Sequence, residues 1–237
     1  MIYIGIDDTD TIGTPGTNQL ARRLATALPR GFEFVVALRH QLFFDPRVPY
    51  TSKNGCATLL VRSAPGRRPE ELAPMLRAAM SAWYVPGSDP GLCVTEHVPE
   101  AVVEFGRRTQ HEVIQQKEAR ELARRCGVFL RGFGGTEDGV IGALAGVGLL
   151  AAGEDGRVVD RPGWGWPDAF AGEQPIDVVQ SRGVDEVREA KTDHRVVAGV
   201  VDIGKHLRPS YRGGRVVLYV QRAGEETAPR WSALKLP

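Results

Sequence analysis

An apolar run, IYIGI at 2–6, breaks without a spacer into Asp7, Asp8 and Asp10. A short β-type run of this kind reads as a buried strand. The acids that follow it have to sit at the end of a sheet, because unpaired charge is excluded from a core. The stretch DDTDTIGTPG at 7–16 then reads as a loop, and from Thr17 to Leu28 the residues Leu20, Leu24, Ala25, Ala27 and Leu28 share one helical face. Pro29 and Gly31 are stop signals. The opening is strand, acidic loop, helix.

Three carboxylates so close together repel and raise one another's pKa, a cost that a divalent cation offsets. Mg²⁺ suits them, since it takes one or two carboxylates along with phosphate oxygens and water. The absence of His or Cys nearby argues against zinc. Asp7, Asp8 and Asp10 are therefore the expected metal ligands. Gly13 and Gly16 let the backbone approach a ligand, and the helix starting near Thr17 turns its positive end toward an anion. The loop can therefore hold a triphosphate, with Thr9, Thr11, Gly13 and Gly16 as candidate contacts. The competing structural reading has Asp10 or Thr17 capping the helix and Asp7 and Asp8 solvated in a turn.

Further along, 32–44 reads as a strand, 45–55 as a loop and 56–61 as the returning strand. A helix is expected from 67–69 to about 84, a strand at 92–96, and one long helix from about 99 to 125. VFLRGFGG at 128–135 leads into DGVIGALAGVGLLAAG at 138–153, whose small and apolar residues suit a tightly packed helix. The runs at 176–180, 195–201 and 215–221 read as strands. The fold class is α+β, with mixed sheets and two domains, 1–108 and 109–237.

Composition excludes several classes. The 237 residues are 42% hydrophobic and 25% charged, the balance of a globular chain rather than a disordered one. Thirty basic and 29 acidic residues leave a formal charge of +1, so a polyanion site has to be local. The three cysteines form no CxxC pair, which points to a reducing, cytoplasmic setting. No apolar run reaches membrane-span length and the first residues do not resemble a signal peptide. Walker A, GxSxG and HExxH patterns are absent.

Four ordered segments resemble one family. GIDDTDTIGTPGTNQLA at 5–21 is similar to the opening of the tRNA(Ile) 2-agmatinylcytidine synthetases, which has the form Gly-Ile-Asp-Asp-Thr-Asp-Ser followed by Thr and Leu-Ala. DPRVPYTSKNGCA at 45–57, SDPGLCV at 88–94 and GFGGTEDGVIGALAGVG at 132–148 resemble its later motifs in the same order. The resemblance covers about the first 150 residues. It implies a kinase-like, mixed α/β N-terminal domain using ATP and Mg²⁺, followed by a ferredoxin-like domain, and it makes Thr17 the match of the family's phosphoacceptor. Lys53-Asn54-Gly55 stands where the family has Arg-Gly-Asn, so Lys53 and Asn54 are carried over as phosphate or substrate contacts. The family's OB-fold and Cys-rich zinc ribbon are not legible in this chain.

Arg39 and His40 at a strand end, and Gly132, Gly134, Gly135 and Gly139 ahead of the GALA helix, are weaker candidates for binding anions. The segment 204–222 gathers Lys205, His206, Arg208, Arg212 and Arg215 around Tyr211, a mixture suited to a nucleotide or single-stranded RNA, or simply a solvated face. Trp164 and Trp166 read as loop anchors. The expected function is an ATP- and Mg²⁺-dependent enzyme activating an oxygen by phosphorylation or adenylate-type cleavage, on an RNA or small-molecule acceptor. Asp7, Asp8, Asp10 and Thr17 form its catalytic set. The competing class is a non-catalytic nucleotide- or RNA-binding module that retains the fold.

Overall fold

The computed structural model describes all residues except 49–52, 165–169, 225–229 and 236–237. It divides into two compact units, Met1–Ala152 and Gly153–Pro237. The boundary expected between 108 and 109 falls inside the first unit.

The first unit contains β1 (Ile2–Asp7), α1 (Thr17–Thr26), β2 (Phe32–Gln41) and β3 (Gly55–Ser63). A 3-10 turn at Pro69–Leu72 leads into α2 (Ala73–Trp83), followed by β4 (Gly91–Thr95), α3 (Glu100–Thr109), α4 (Gln116–Cys126), β5 (Phe129–Gly132) and α5 (Gly139–Ala152). Its strands lie in the order β5-β4-β1-β3-β2, every neighbouring pair antiparallel. The acid-bearing strand is therefore central. Strand alternation sends Ile2, Ile4 and Ile6, all buried, to one face and Tyr3, Gly5 and Asp7 to the other. On the second face lies α5, whose residues from Gly142 to Leu150 are all buried. A Cβ at Gly5 would overlap the carbonyl of Ala143, so glycine here sets how closely helix and strand approach.

The long helix expected over 99–125 is two helices. Thr109 donates its hydroxyl to the Phe105 carbonyl at 2.7 Å, His111 N–H bonds back to Arg108, and Gln115 restarts the chain in an extended conformation ahead of α4. A continuous 3.6-residue pattern cannot reveal such a break, because both helices bury the same kind of stripe. α4 then packs on α5, and β5 pairs with β4, which is why these elements belong to the first unit.

The second unit holds β6 (Arg157–Asp160), β7 (Glu173–Pro175), α6 (Ile176–Ser181), β8 (Glu186–Glu189), β9 (Val200–Asp202), β10 (Ser210–Arg212), β11 (Arg215–Arg222) and β12 (Arg230–Ala233). β11 pairs antiparallel with β10 and β12 and parallel with β8, and β12 pairs parallel with β9, so this sheet is mixed. The strand expected at 176–180 is the helix α6. Pro175 sets an extended start, Asp177 sits in the first turn, and Ile176 and Val179 bury at i,i+3 spacing, which overrides the β preference of the two valines. Of the run 195–201, only the end joins a strand, β9.

Candidate active site

The loop leaving β1 is built by its own polar side chains. Asp8 has a φ of 52°, the left-handed region that Asp tolerates better than most residues, and its carbonyl accepts the Asp89 N–H at 3.2 Å. Asp10 reaches forward seven residues. Its Oδ1 accepts the backbone N–H of Thr17 at 3.1 Å and the Thr17 hydroxyl at 2.8 Å. Thr9, itself buried, donates its hydroxyl to the Thr17 Oγ1 at 3.0 Å. Gly16, the residue before α1, has no side chain to cap the helix, so Asp10 does so from a distance.

Beside this loop lies a cavity of about 390 Å³, a size that accommodates a small-molecule ligand. The first residues of three helices border it: Thr17 of α1, Gln116 of α4, and Gly139 of α5. Each helix turns the positive end of its dipole this way. Its apolar lining comes from Leu42, Phe43, Val48, Val113, Ile114 and Ile141. Among the described residues, the ionisable lining is five carboxylates, Asp7, Asp8, Asp10, Glu112 and Asp138, against two cations, Arg47 and Lys53.

The charge imbalance is reflected in the acids themselves. Burial, with the neighbouring Asp8 and Asp10 adding to it, pushes the Asp7 carboxyl up to about 8. Asp8 is pushed up to about 6, first by burial and then by Asp89, Asp10 and Asp138. Both groups would ionise more easily beside a cation. Among the described residues, no group of three His, Cys, Asp or Glu side chains is already gathered in the way a preformed metal centre requires. Mg²⁺ does not need one, since it keeps water and phosphate oxygens and uses one or two carboxylates. The hard oxygen donors of Asp7 and Asp8 fit that ion.

The candidate residues separate into cavity walls and loop framework. Asp7, Asp8, Asp10, Thr17, Lys53 and Asn54 line the cavity. Thr9, Thr11, Gly13 and Gly16 do not; they shape the loop. Thr11 exchanges hydrogen bonds with Thr14, while Gly13 turns the chain at a φ of 87°. Asn54 donates its amide to the Phe43 carbonyl at 2.8 Å, fixing one cavity wall. His40 is fully buried, with Nε2 3.0 Å from the Thr58 hydroxyl, and Arg39 donates to Gln41; neither lines the cavity. The Gly139 N–H donates to the Asp89 carbonyl at 2.9 Å, so this donor of the glycine segment is already taken. In the second unit, Tyr211 is buried, Arg215 pairs with Glu186 and Arg212 donates to the Tyr211 carbonyl, so this segment does not present an exposed stacking ring. Trp164 is buried; Trp166 and residues 49–52 of the second motif lie outside the described residues.

Sequence reasoning missed Asp138, Arg47 and the wall at 112–116. Asp138 accepts a 3.0 Å hydrogen bond from Gln116, whose Oε1 in turn accepts from Arg120 at 2.9 Å, tying α4 to the start of α5. Asp138 was legible as an acid just ahead of a helix. The wall at 112–116 was hidden by the uninterrupted helical pattern.

No family model matches the chain. The tRNA(Ile2) 2-agmatinylcytidine synthetase TiaS of Cenarchaeum symbiosum (strain A) is 28% identical over 215 residues, 78% of this chain and 47% of that protein. The crystal structure of a TiaS–tRNA(Ile2)–ATP complex matches with a TM-score of 0.54 at 24% identity, over 62% of this chain and 36% of that one. A TiaS–tRNA(Ile2)–AMPCPP–agmatine complex gives 0.52 at 22%, over 62% and 35%. A structure described as a tRNA fluorescent labeling enzyme gives 0.54 at 24%, over 62% and 35%. At these identities the structural likeness is one of fold. In sequence and in fold the chain is similar to the tRNA(Ile) 2-agmatinylcytidine synthetases, and it spans about half the length of the curated protein it matches.

Proposed function

We propose that this chain is an ATP-dependent, Mg²⁺-assisted enzyme of the tRNA-modifying type, which activates an oxygen by kinase-like or ligase-like chemistry. The observation that carries this reading is the Thr17 hydroxyl donating to Asp10 at 2.8 Å on the wall of a cavity bordered by three helix starts. That distance is the one a general base needs to its proton. In the phosphorylation branch, the Thr17 oxygen bonds to the γ-phosphorus of ATP while the bond to the bridging oxygen breaks. ADP leaves with that electron pair and the hydroxyl proton passes to Asp10. Asp7 and Asp8 would hold Mg²⁺, which neutralises charge on the transferred group. Lys53 offsets charge on the same group, and the apolar wall at Leu42, Phe43, Val113 and Ile114 suits a nucleobase.

The TiaS complexes that share the fold hold tRNA(Ile2) with ATP, or with AMPCPP and agmatine. By that likeness the acceptor proposed here is an RNA base or a small molecule, the first domain is kinase-like, and the setting is cytoplasmic. Among the described residues no helix is long and apolar enough to cross a membrane. Incubation with Mg²⁺ and ATP labelled at the α or γ position tests the proposal. The expected result is γ-label on Thr17 or release of AMP, abolished in Asp8→Asn. Bound but unchanged ATP would favour a non-catalytic binding module instead.

A further inference from the structure

The cavity carries a second cation that the family-like motifs do not assign. Arg47 lies on the loop between β2 and β3 and lines the cavity together with Lys53. Its guanidinium is gripped by Asp45, two residues earlier, through Nε to Oδ1 at 2.7 Å and Nη2 to Oδ2 at 2.9 Å. The Arg47 backbone N–H also donates to Asp45 Oδ1, at 3.0 Å. The Arg47 side chain is 70% exposed and that of Asp45 16%, so the cation faces water while its partner is tucked into the loop.

We infer that Arg47 is a phosphate-contacting residue of this cavity, held at its rim by Asp45 until a polyphosphate takes over the guanidinium. The inference rests on the nucleotide reading above and adds a specific contact to it. Among the described residues Arg47 and Lys53 are the only cationic side chains lining the cavity, so an incoming polyanion meets few other side chains of positive charge. The forked guanidinium matches phosphate oxygens as well as it matches a carboxylate. Asp45 is then a competitor for the cation rather than a contributor to binding. That separates this arrangement from a simple loop staple, because the two roles predict opposite signs for the acid.

The test measures the affinity of the full chain for Mg·ATP and for adenosine by calorimetry, in wild type, Arg47→Ala and Asp45→Asn. The asparagine side chain of the second variant keeps a carbonyl oxygen for the Arg47 backbone N–H, preserving the turn, and thermal melts check that all three chains fold. Arg47→Ala should weaken Mg·ATP about tenfold, the value of one charge-assisted contact, and leave adenosine unchanged. Asp45→Asn should bind Mg·ATP as tightly as wild type or tighter. The inference is overturned if Arg47→Ala binds Mg·ATP like wild type, or if both variants weaken together as a loop staple requires. Failure of the wild-type chain to bind Mg·ATP at all would overturn the nucleotide reading, and this inference with it.

Discussion

Replacing Thr17 with valine keeps the branched shape and removes only the hydroxyl. That hydroxyl serves twice: it donates to Asp10 at 2.8 Å and accepts from Thr9 at 3.0 Å. Losing the bond to a carboxylate costs about 1.5–3 kcal/mol, and leaving the buried Thr9 donor without this acceptor costs about 1 kcal/mol or more. Thr17→Val should therefore destabilise the first unit by about 2–4 kcal/mol, while Thr17→Ser, which loses one methyl group, should cost about 1 kcal/mol or less. Urea titration, read alongside hydrogen exchange at the amides of α1, measures both variants and localises the effect. The helix should loosen in Thr17→Val and stay protected in Thr17→Ser. Equal stability of the two variants would refute the argument, because it would mean that the Asp10–Thr17–Thr9 chain does not hold the loop against α1.

The other expectations come from crowding and charge. Since burial raises the Asp7 and Asp8 carboxyls, the ligand-free protein binds more protons folded than unfolded, and its stability should fall as pH rises from about 4 through about 8. For Asp7 the ceiling at pH 7 is about 4 kcal/mol, reduced by water at the cavity; melts of wild type and Asp7→Asn across this range should diverge most at the alkaline end. Gly142→Ala should displace the Asp7 carboxylate, which occupies the space of the added Cβ, and destabilise the protein by about 1–3 kcal/mol in urea unfolding. Glu186 is held below the usual carboxylate range by hydrogen bonds from Arg188 and Arg215, so its contribution is present above pH 4.5 and lost as pH falls through its folded value. Acid titration of Glu186→Gln should show a shallower loss of stability in that window than wild type.

Much of the first unit was legible because its patterns are local. The strand IYIGI, the acids at its exit and the helix from Thr17 follow from alternation, charge and spacing, and the structure keeps them in that order. The break between α3 and α4 was not legible, since both segments carry the same apolar stripe and the interruption is made by Thr109 and Gln115 rather than by glycine or proline. The valines of α6 misled for a related reason: Ile176 and Val179 fit a buried helix face as well as a strand, and only tertiary packing chooses. Asp10 was readable both as a cap and as a ligand, and the structure gives it the capping bonds while leaving it on the cavity wall.

That double placement explains why the acidic loop has the form it does. Three carboxylates at a strand exit would be costly if all three had to find solvent or a cation. Asp10 commits one oxygen to the start of α1, which anchors the loop and brings the Thr17 hydroxyl to the wall. Asp7 and Asp8 remain crowded, with raised pKa values, and α5 closes over Asp7 through Gly142. One acid organises the site and two stay poised for a ligand that supplies positive charge. The same division accounts for the glycines of α5. Gly142 and Gly139 bring the helix start against Asp7: a Cβ at Gly142 would displace the Asp7 carboxylate on which the proposed chemistry depends, and one at Gly139 would meet the backbone carbonyls of Asp7 and Asp89.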